Sequence, residues 1–265
     1  MPPSRENVSD VEIIELLEDL SSPDPTVRDG ESLGRLCELV DRGHVSEAQL
    51  AFLGATLVER LSHDRVEARS FAALALVPLI LRDVCSPGWF PHFASWYASE
   101  ADITGYDMTR GWLHAVAHGA DVLGAIGWKA TESPRPVLDL AVRRMLHQGP
   151  GIWRDQEDDR LGFSIAITLA NRHLNPADAL EWVEPVEKAF LRGEPGPVPA
   201  FVSNSIRTLR VVALLVGEQM TYEGHTLRVQ YHTALRQRLR EVLHHASPWM
   251  WNLQGPAGRA GPPAV

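Results

Sequence analysis

The stretch Val66-Glu-Ala-Arg-Ser-Phe-Ala-Ala-Leu-Ala-Leu-Val-Pro-Leu-Ile-Leu-Arg-Asp-Val84 decides the fold class. Its apolar residues Phe71, Ala72, Leu74, Leu76, Val77, Leu79, Ile80 and Leu81 fall on most of the circumference of a helix. A helix apolar nearly all round belongs in an interior, walled by other helices. Pro78 sits inside this run and is expected to kink the axis.

The neighbouring segments repeat the three- and four-residue apolar spacing of amphipathic helices, and alternating strand patterns bounded by hairpin turns are missing. Towards the N-terminus, a helix from about Val11 to Leu20 ends at Ser21-Ser-Pro-Asp-Pro25. A second carries Val27, Leu33, Leu36, Leu39 and Val40, and Ser46 with Gln49 forms a capping box for a third that runs to about Ser62. Towards the C-terminus, helices are expected over about Met108–Trp128, Pro134–His147, Asp155–His173, Pro176–Leu191, Val198–Met220 and His225–His245. The chain is therefore expected to be all-α. Helices of this length joined by short turns suggest antiparallel pairs stacked in the manner of HEAT or armadillo repeats, although no clean internal period is visible. One helical domain is expected over residues 1–254, with Gly193–Pro199 the likeliest internal break, followed by a disordered Gly/Pro-rich tail over 255–265.

A chain of 265 residues with 45% hydrophobic content is large enough for a substantial core. Its net charge of -9 argues against a general nucleic-acid surface, and Arg236, Arg238 and Arg240 read as a solvated helix face. No apolar run reaches membrane-spanning length and the first residues lack a signal-peptide core, so cytoplasmic residence is expected. Cys37 and Cys85, in apolar helical contexts, read as reduced and buried, without a Cys-x-x-Cys pair.

The chemistry concentrates in Gly111-Trp-Leu-His-Ala-Val-Ala-His-Gly-Ala-Asp121. On a continuous helix His114, His118 and Asp121 share one face within an arc of about 60°, flanked by Arg110. Two imidazoles and an acid at this spacing can ligate a divalent ion such as zinc or iron. Ala115 stands where a zincin protease would carry its glutamate base, which disfavours that class. The same residues could form a proton-transfer pair in which Asp121 sets a histidine tautomer, or a structural brace bonded to backbone carbonyls or to Glu100, Asp102 or Asp107.

In the ligand-binding reading, Arg110 holds an anionic group and Glu100 and Asp102 complete the ligand set or orient it. Tyr106 and Trp112 wall the pocket, and a hydrolase or lyase is the expected reaction class. In the rival reading the chain is a non-catalytic scaffold for a protein partner. Gln156-Glu-Asp-Asp-Arg160 reads as the acidic first turn of a helix, with Glu157 and Asp158 weaker candidates, and His244-His245 as a helix C-terminal feature.

The segment Gly105-Tyr-Asp-Met-Thr-Arg-Gly-Trp-Leu-His-Ala-Val-Ala-His-Gly-Ala-Asp121, preceded by Glu100 and Asp102, resembles the signature of a bacterial family catalogued as domain of unknown function 2785. Val27-Arg-Asp29, Arg69-Ser-Phe-Ala-Ala-Leu-Ala-Leu76 and Glu157-Asp-Asp-Arg160 are similar to it too, over about Asp10 to Leu243. The resemblance implies an all-helical, HEAT-like fold and marks Trp112, His114, His118 and Asp121 as motif positions. The family usually carries a glycine and a basic or small residue before its Gly-Trp pair, where this chain has Asp107-Met-Thr-Arg110.

Overall fold

Helix α4 (Val66–Leu81) is the centre of the N-terminal half because its sequence offers almost no polar face: Phe71, Ala72, Ala73, Ala75, Leu76, Leu79 and Ile80 are all buried. Removing each large apolar side chain from water contributes about 1.5 to 3 kcal/mol, so this helix is stable only when surrounded. In a computed structural model describing residues 8–194 and 196–250, it is surrounded by helices. The residues divide into two compact units, Met1–Lys129 and Ala130–Val265.

In the first unit α1 (Asp10–Asp19) leads to a π-helix (Thr26–Leu33), α2 (Gly34–Arg42) and α3 (Glu47–Arg60). Then come α4, α5 (Trp89–Ser99), a short hairpin of β1 (Tyr106–Asp107) and β2 (Gly111–Trp112), and α6 (Ala115–Lys129). Ser9 caps α1 by accepting from the Glu12 amide, and Ser46 and Gln49 form the expected capping box on α3. Helix α4 packs most extensively on α6, and next on α3. Gly119 makes room on α6 for Tyr97, whose ring atoms would lie 2.2 Å from an added Cβ. Tyr97 also donates its hydroxyl to the Val116 carbonyl at 2.9 Å, which ties α5 to the first turn of α6.

The second unit contains α7 (Arg135–Met145), α8 (Glu157–Leu169), α9 (Pro176–Glu181), α10 (Glu184–Leu191) and α11 (Ala200–Leu215). A hairpin of β3 (Met220–Tyr222) and β4 (His225–Leu227) then precedes α12 (His232–Ala246) and a final 3-10 turn. Its core is the packing of α8 on α11, with α7 against both and α12 against α11 and α10. Asn204 and Arg207 of α11 hold the segment before α8: Arg207 donates to the Trp153 carbonyl at 2.6 Å, and Asn204 accepts from the Trp153 amide at 3.0 Å.

The all-α expectation holds, with local corrections. Residues 26–33 form a π-helix where an α-helix was expected. Two hairpins interrupt the helices: Glu223 and Gly224, both at positive φ, turn the chain where a helix was expected to begin at His225. The helix expected over Pro176–Leu191 is two, Pro176–Glu181 and Glu184–Leu191. Cys85 is exposed, contrary to expectation, and Cys37 is partly exposed with its thiol pushed up to about 11 by burial. Among the described residues no helix is long and apolar enough to cross a membrane. The expected tail over 255–265 lies outside the described residues.

Candidate functional site

The helix expected to begin near Met108 begins at Ala115 instead. Two local devices prevent an earlier start. Asp107 accepts at Oδ1 from the Thr109 and Arg110 amides, both at 2.9 Å, turning the chain and consuming amides that a helix would use. The Arg110 and Thr109 amides also hold the Asp107 carboxyl below its usual range. Gly111 then takes φ +72, the left-handed region, with Pro25 so close that an added Cβ would lie 2.7 Å from it.

A fully buried guanidinium fastens this hairpin from behind. Arg28, on the π-helix, donates through Nη2 to the carbonyls of Arg110 (2.7 Å) and Trp112 (3.1 Å). Its other nitrogens reach the Ser22 carbonyl at 2.9 Å and Asp29 at 2.7 Å, and its Cζ lies 4.5 Å from the Phe71 ring centroid. Burial pushes the Asp29 carboxyl up, a larger effect than the lowering by Arg28. Arg110 turns back to Glu67 at 3.1 Å and Asp107 at 3.4 Å, so this expected anion-holding residue is engaged within the hairpin and α4.

The two histidines occupy different environments. His114 precedes α6 at φ +45, its amide donating to the Thr104 carbonyl at 3.1 Å and its carbonyl accepting from the His118 amide at 2.8 Å. Its ring lies 4.3 Å from Trp112 at an interplanar angle of 32°, and 5.8 Å from the His118 ring at 86°. His118 is buried; its Nδ1 is 2.8 Å from Ser70 Oγ and its ring meets Phe71 edge-on at 5.1 Å. The result is a continuous row of rings from Tyr106 through Trp112, His114 and His118 to Phe71. Tyr106 (49%) and Trp112 (44%) are exposed, so the row runs from solvent into the core. Asp121 is half-buried, one turn beyond His118.

Glu100 and Asp102 do other work. Glu100 accepts from Arg69 at 2.6 and 2.9 Å, from the Trp96 indole at 2.6 Å and from the Asp102 amide at 2.9 Å. Burial pushes its carboxyl up, but the bonds from Arg69, the Asp102 amide and Trp96 together hold it below the ordinary value. Asp102 accepts from the Thr104 amide at 3.0 Å, shaping the loop that feeds the hairpin. Glu100 lines a cavity of about 500 Å³ with His63, Asp64, Arg69, His92 and Trp96, a lining that does not include the ring row. Among the described residues no group of three or more His, Cys, Asp or Glu side chains could hold a metal ion. The zinc or iron reading of His114, His118 and Asp121 finds no such group among the described residues, and His114 stands before α6 at φ +45, not within the helix that the spacing assumed.

In the second unit Glu157 is buried and accepts from the Asp155 amide at 2.8 Å, with burial holding its carboxyl above the usual range. Asp158 pairs with Arg207 at 3.0 Å. Arg238 reaches Glu187 at 2.5 Å and His245 lies 3.3 Å from the same carboxylate, so these C-terminal basic residues serve packing between α10 and α12.

Sequence reasoning missed Arg28, Glu67 and Ser70 as supports of the site. Their signal was present: Glu67 and Ser70 lie within the most apolar helix, where a polar side chain has to be answered by a partner.

The family model described as Protein of unknown function (DUF2785) matches residues 56–215. The chain belongs to this family. The matched span contains the whole of α4, the hairpin and α6 in the first unit, and α8 and α11 in the second. It is shorter than the span of resemblance expected from the sequence, and it leaves out Arg28. No curated protein and no solved structure matches the chain significantly.

Proposed function

We propose that this family member is a HEAT-type helical-repeat protein that holds a small ligand at the row formed by Trp112, His114 and His118. The observation carrying this reading is His114, a non-glycine residue at φ +45 whose ring bridges an exposed tryptophan and a buried histidine. Such a backbone costs on the order of 1 to 3 kcal/mol and persists where its surroundings over-determine it, as they commonly do at functional sites. Here the surroundings are the Gly111 turn and the Arg28 anchor.

In this reading Trp112 and Tyr106 supply an aromatic wall, the imidazoles make hydrogen bonds or exchange protons, and Asp121 is the accompanying acid. Arg110 stabilises the hairpin through Glu67 and Asp107. A hydrolase or lyase working by proton transfer is the enzymatic form of the proposal. The repeat reading is supported by a device used twice: Arg28 donates to the Ser22 carbonyl and Arg69 to the His63 carbonyl, each six residues back at the start of a helix.

The test is thermal denaturation in a library of small polar metabolites, comparing the wild type with Trp112→Ala and His118→Ala. A compound that raises the melting temperature of the wild type alone is expected. Metal bound near-stoichiometrically in untagged protein and lost in His114→Ala/His118→Ala would overturn the metal-free form of the proposal.

The exposed Tyr106, Met108 (91%) and Trp112 favour a second reading, a scaffold whose rigid hairpin docks a protein partner while the histidines brace it. It predicts that His118→Ala lowers stability and that the library yields no ligand dependent on Trp112.

A further inference from the structure

Ser70 lies on α4, is fully buried and meets two groups at once: the Leu113 carbonyl, through a hydrogen bond, and Nδ1 of His118 at 2.8 Å. A serine hydroxyl has one proton to donate. A carbonyl oxygen can only accept, so the Ser70 proton is committed to Leu113. The contact between Ser70 Oγ and His118 Nδ1 is then a hydrogen bond only if the imidazole supplies the proton. In the neutral ring this leaves Nε2 with the lone pair.

We infer that Ser70 is a positioning residue that fixes His118 as the Nδ1–H tautomer, with Nε2 as the acceptor atom of the ring. The edge-on Phe71 contact holds the ring plane, and the Leu113 carbonyl couples the arrangement to the backbone one residue before His114. The hydroxyl thus ties the tautomer of His118 to the shape of the chain entering α6. A ligand group that hydrogen-bonds to Nε2 then has to present a donor: a hydroxyl, an ammonium or a protonated acid. A bare carboxylate or phosphate oxygen does not satisfy it in the neutral state. The ligand class rests on the small-ligand reading above, whereas the tautomer rests on the hydrogen bonds alone.

The experiment is a long-range ¹H–¹⁵N correlation spectrum of the full-length ¹⁵N-labelled protein, in alkaline buffer where imidazoles are neutral. Signals of His118 are identified by their loss in His118→Gln or by sequential assignment of the wild type. A protonated Nδ1 and an unprotonated Nε2 are expected for His118, and Ser70→Ala, checked for its fold by circular dichroism, should give a mixture of both tautomers. Nε2–H in the wild type overturns the inference, as does a folded Ser70→Ala with an unchanged tautomer. Should Ser70→Ala fail to fold, the wild-type spectrum alone decides. The expected tautomer together with an absence of any Trp112-dependent ligand would remove the small-ligand reading and leave the positioning role in place.

Discussion

Replacing Arg28 with methionine isolates the anchor of the hairpin from its bulk. Methionine keeps much of the aliphatic stem against Phe71 and removes four donated hydrogen bonds, to Asp29, Ser22, Arg110 and Trp112. A hydrogen bond involving a charged group is worth roughly 1.5 to 3 kcal/mol net. Those four are coupled through one guanidinium and do not add. Asp29 is partly exposed and regains water, whereas the carbonyls of Arg110 and Trp112 lose the donor that fills the space behind them.

The expected loss is therefore about 3 to 5 kcal/mol, the range for breaking a buried charged network by removing one member. With two compact units in the chain, a single global transition is a poor measure, and amide exchange by segment is better. At about 1.4 kcal/mol per tenfold, protected amides over 105–113 should exchange at least a hundredfold faster in Arg28→Met, while those of α8 and α11 are unchanged. Arg28→Lys should be nearly as damaging, since one ammonium cannot reproduce the planar fork. Unchanged exchange over 105–113 in a folded Arg28→Met protein would show that something other than Arg28 holds the hairpin; an equal loss in α8 and α11 would show that the effect is not local.

Gly111→Ala should cost about 2 to 4 kcal/mol, from a left-handed backbone and the close Pro25 carbon; amide exchange over 105–113 that registers less than about half a kcal/mol would contradict the turn geometry. Glu100, whose carboxyl is held below its ordinary value, contributes stability that is present above the usual carboxylate range and is lost as pH falls through the folded value. Stability of the wild type should accordingly drop below about pH 4, and Glu100→Gln should be less stable at neutral pH by about 3 kcal/mol with a flatter acid limb. Parallel acid limbs for the two proteins would sink that assignment.

Much of the helical content is legible locally. The capping box at Ser46 and Gln49 and the all-round apolar run of α4 are decided by residues close together in the chain, and both appear where the sequence puts them. The hairpins were not legible by the same means. Gly111 falls inside the helix expected from about Met108, yet it takes a left-handed conformation sustained by Arg28 and by close packing of Pro25, both more than eighty residues earlier.

The candidate site divides along the same line. From spacing alone His114, His118 and Asp121 are expected to share a helical face, an expectation that needs only neighbouring residues. That His114 precedes the helix, that its ring lies on Trp112, and that His118 answers to Ser70 depend on which elements meet across the core. The sequence by itself determined a helical chain with a polar motif set in an apolar surround, because helix propensity and apolar periodicity are local properties. Only the tertiary structure decided which histidine is buried, which arginine holds the hairpin and whether two imidazoles and one acid form a donor set. Those outcomes are set by hydrogen bonds that buried polar groups must find at long range, and the sequence does not state the distances between them.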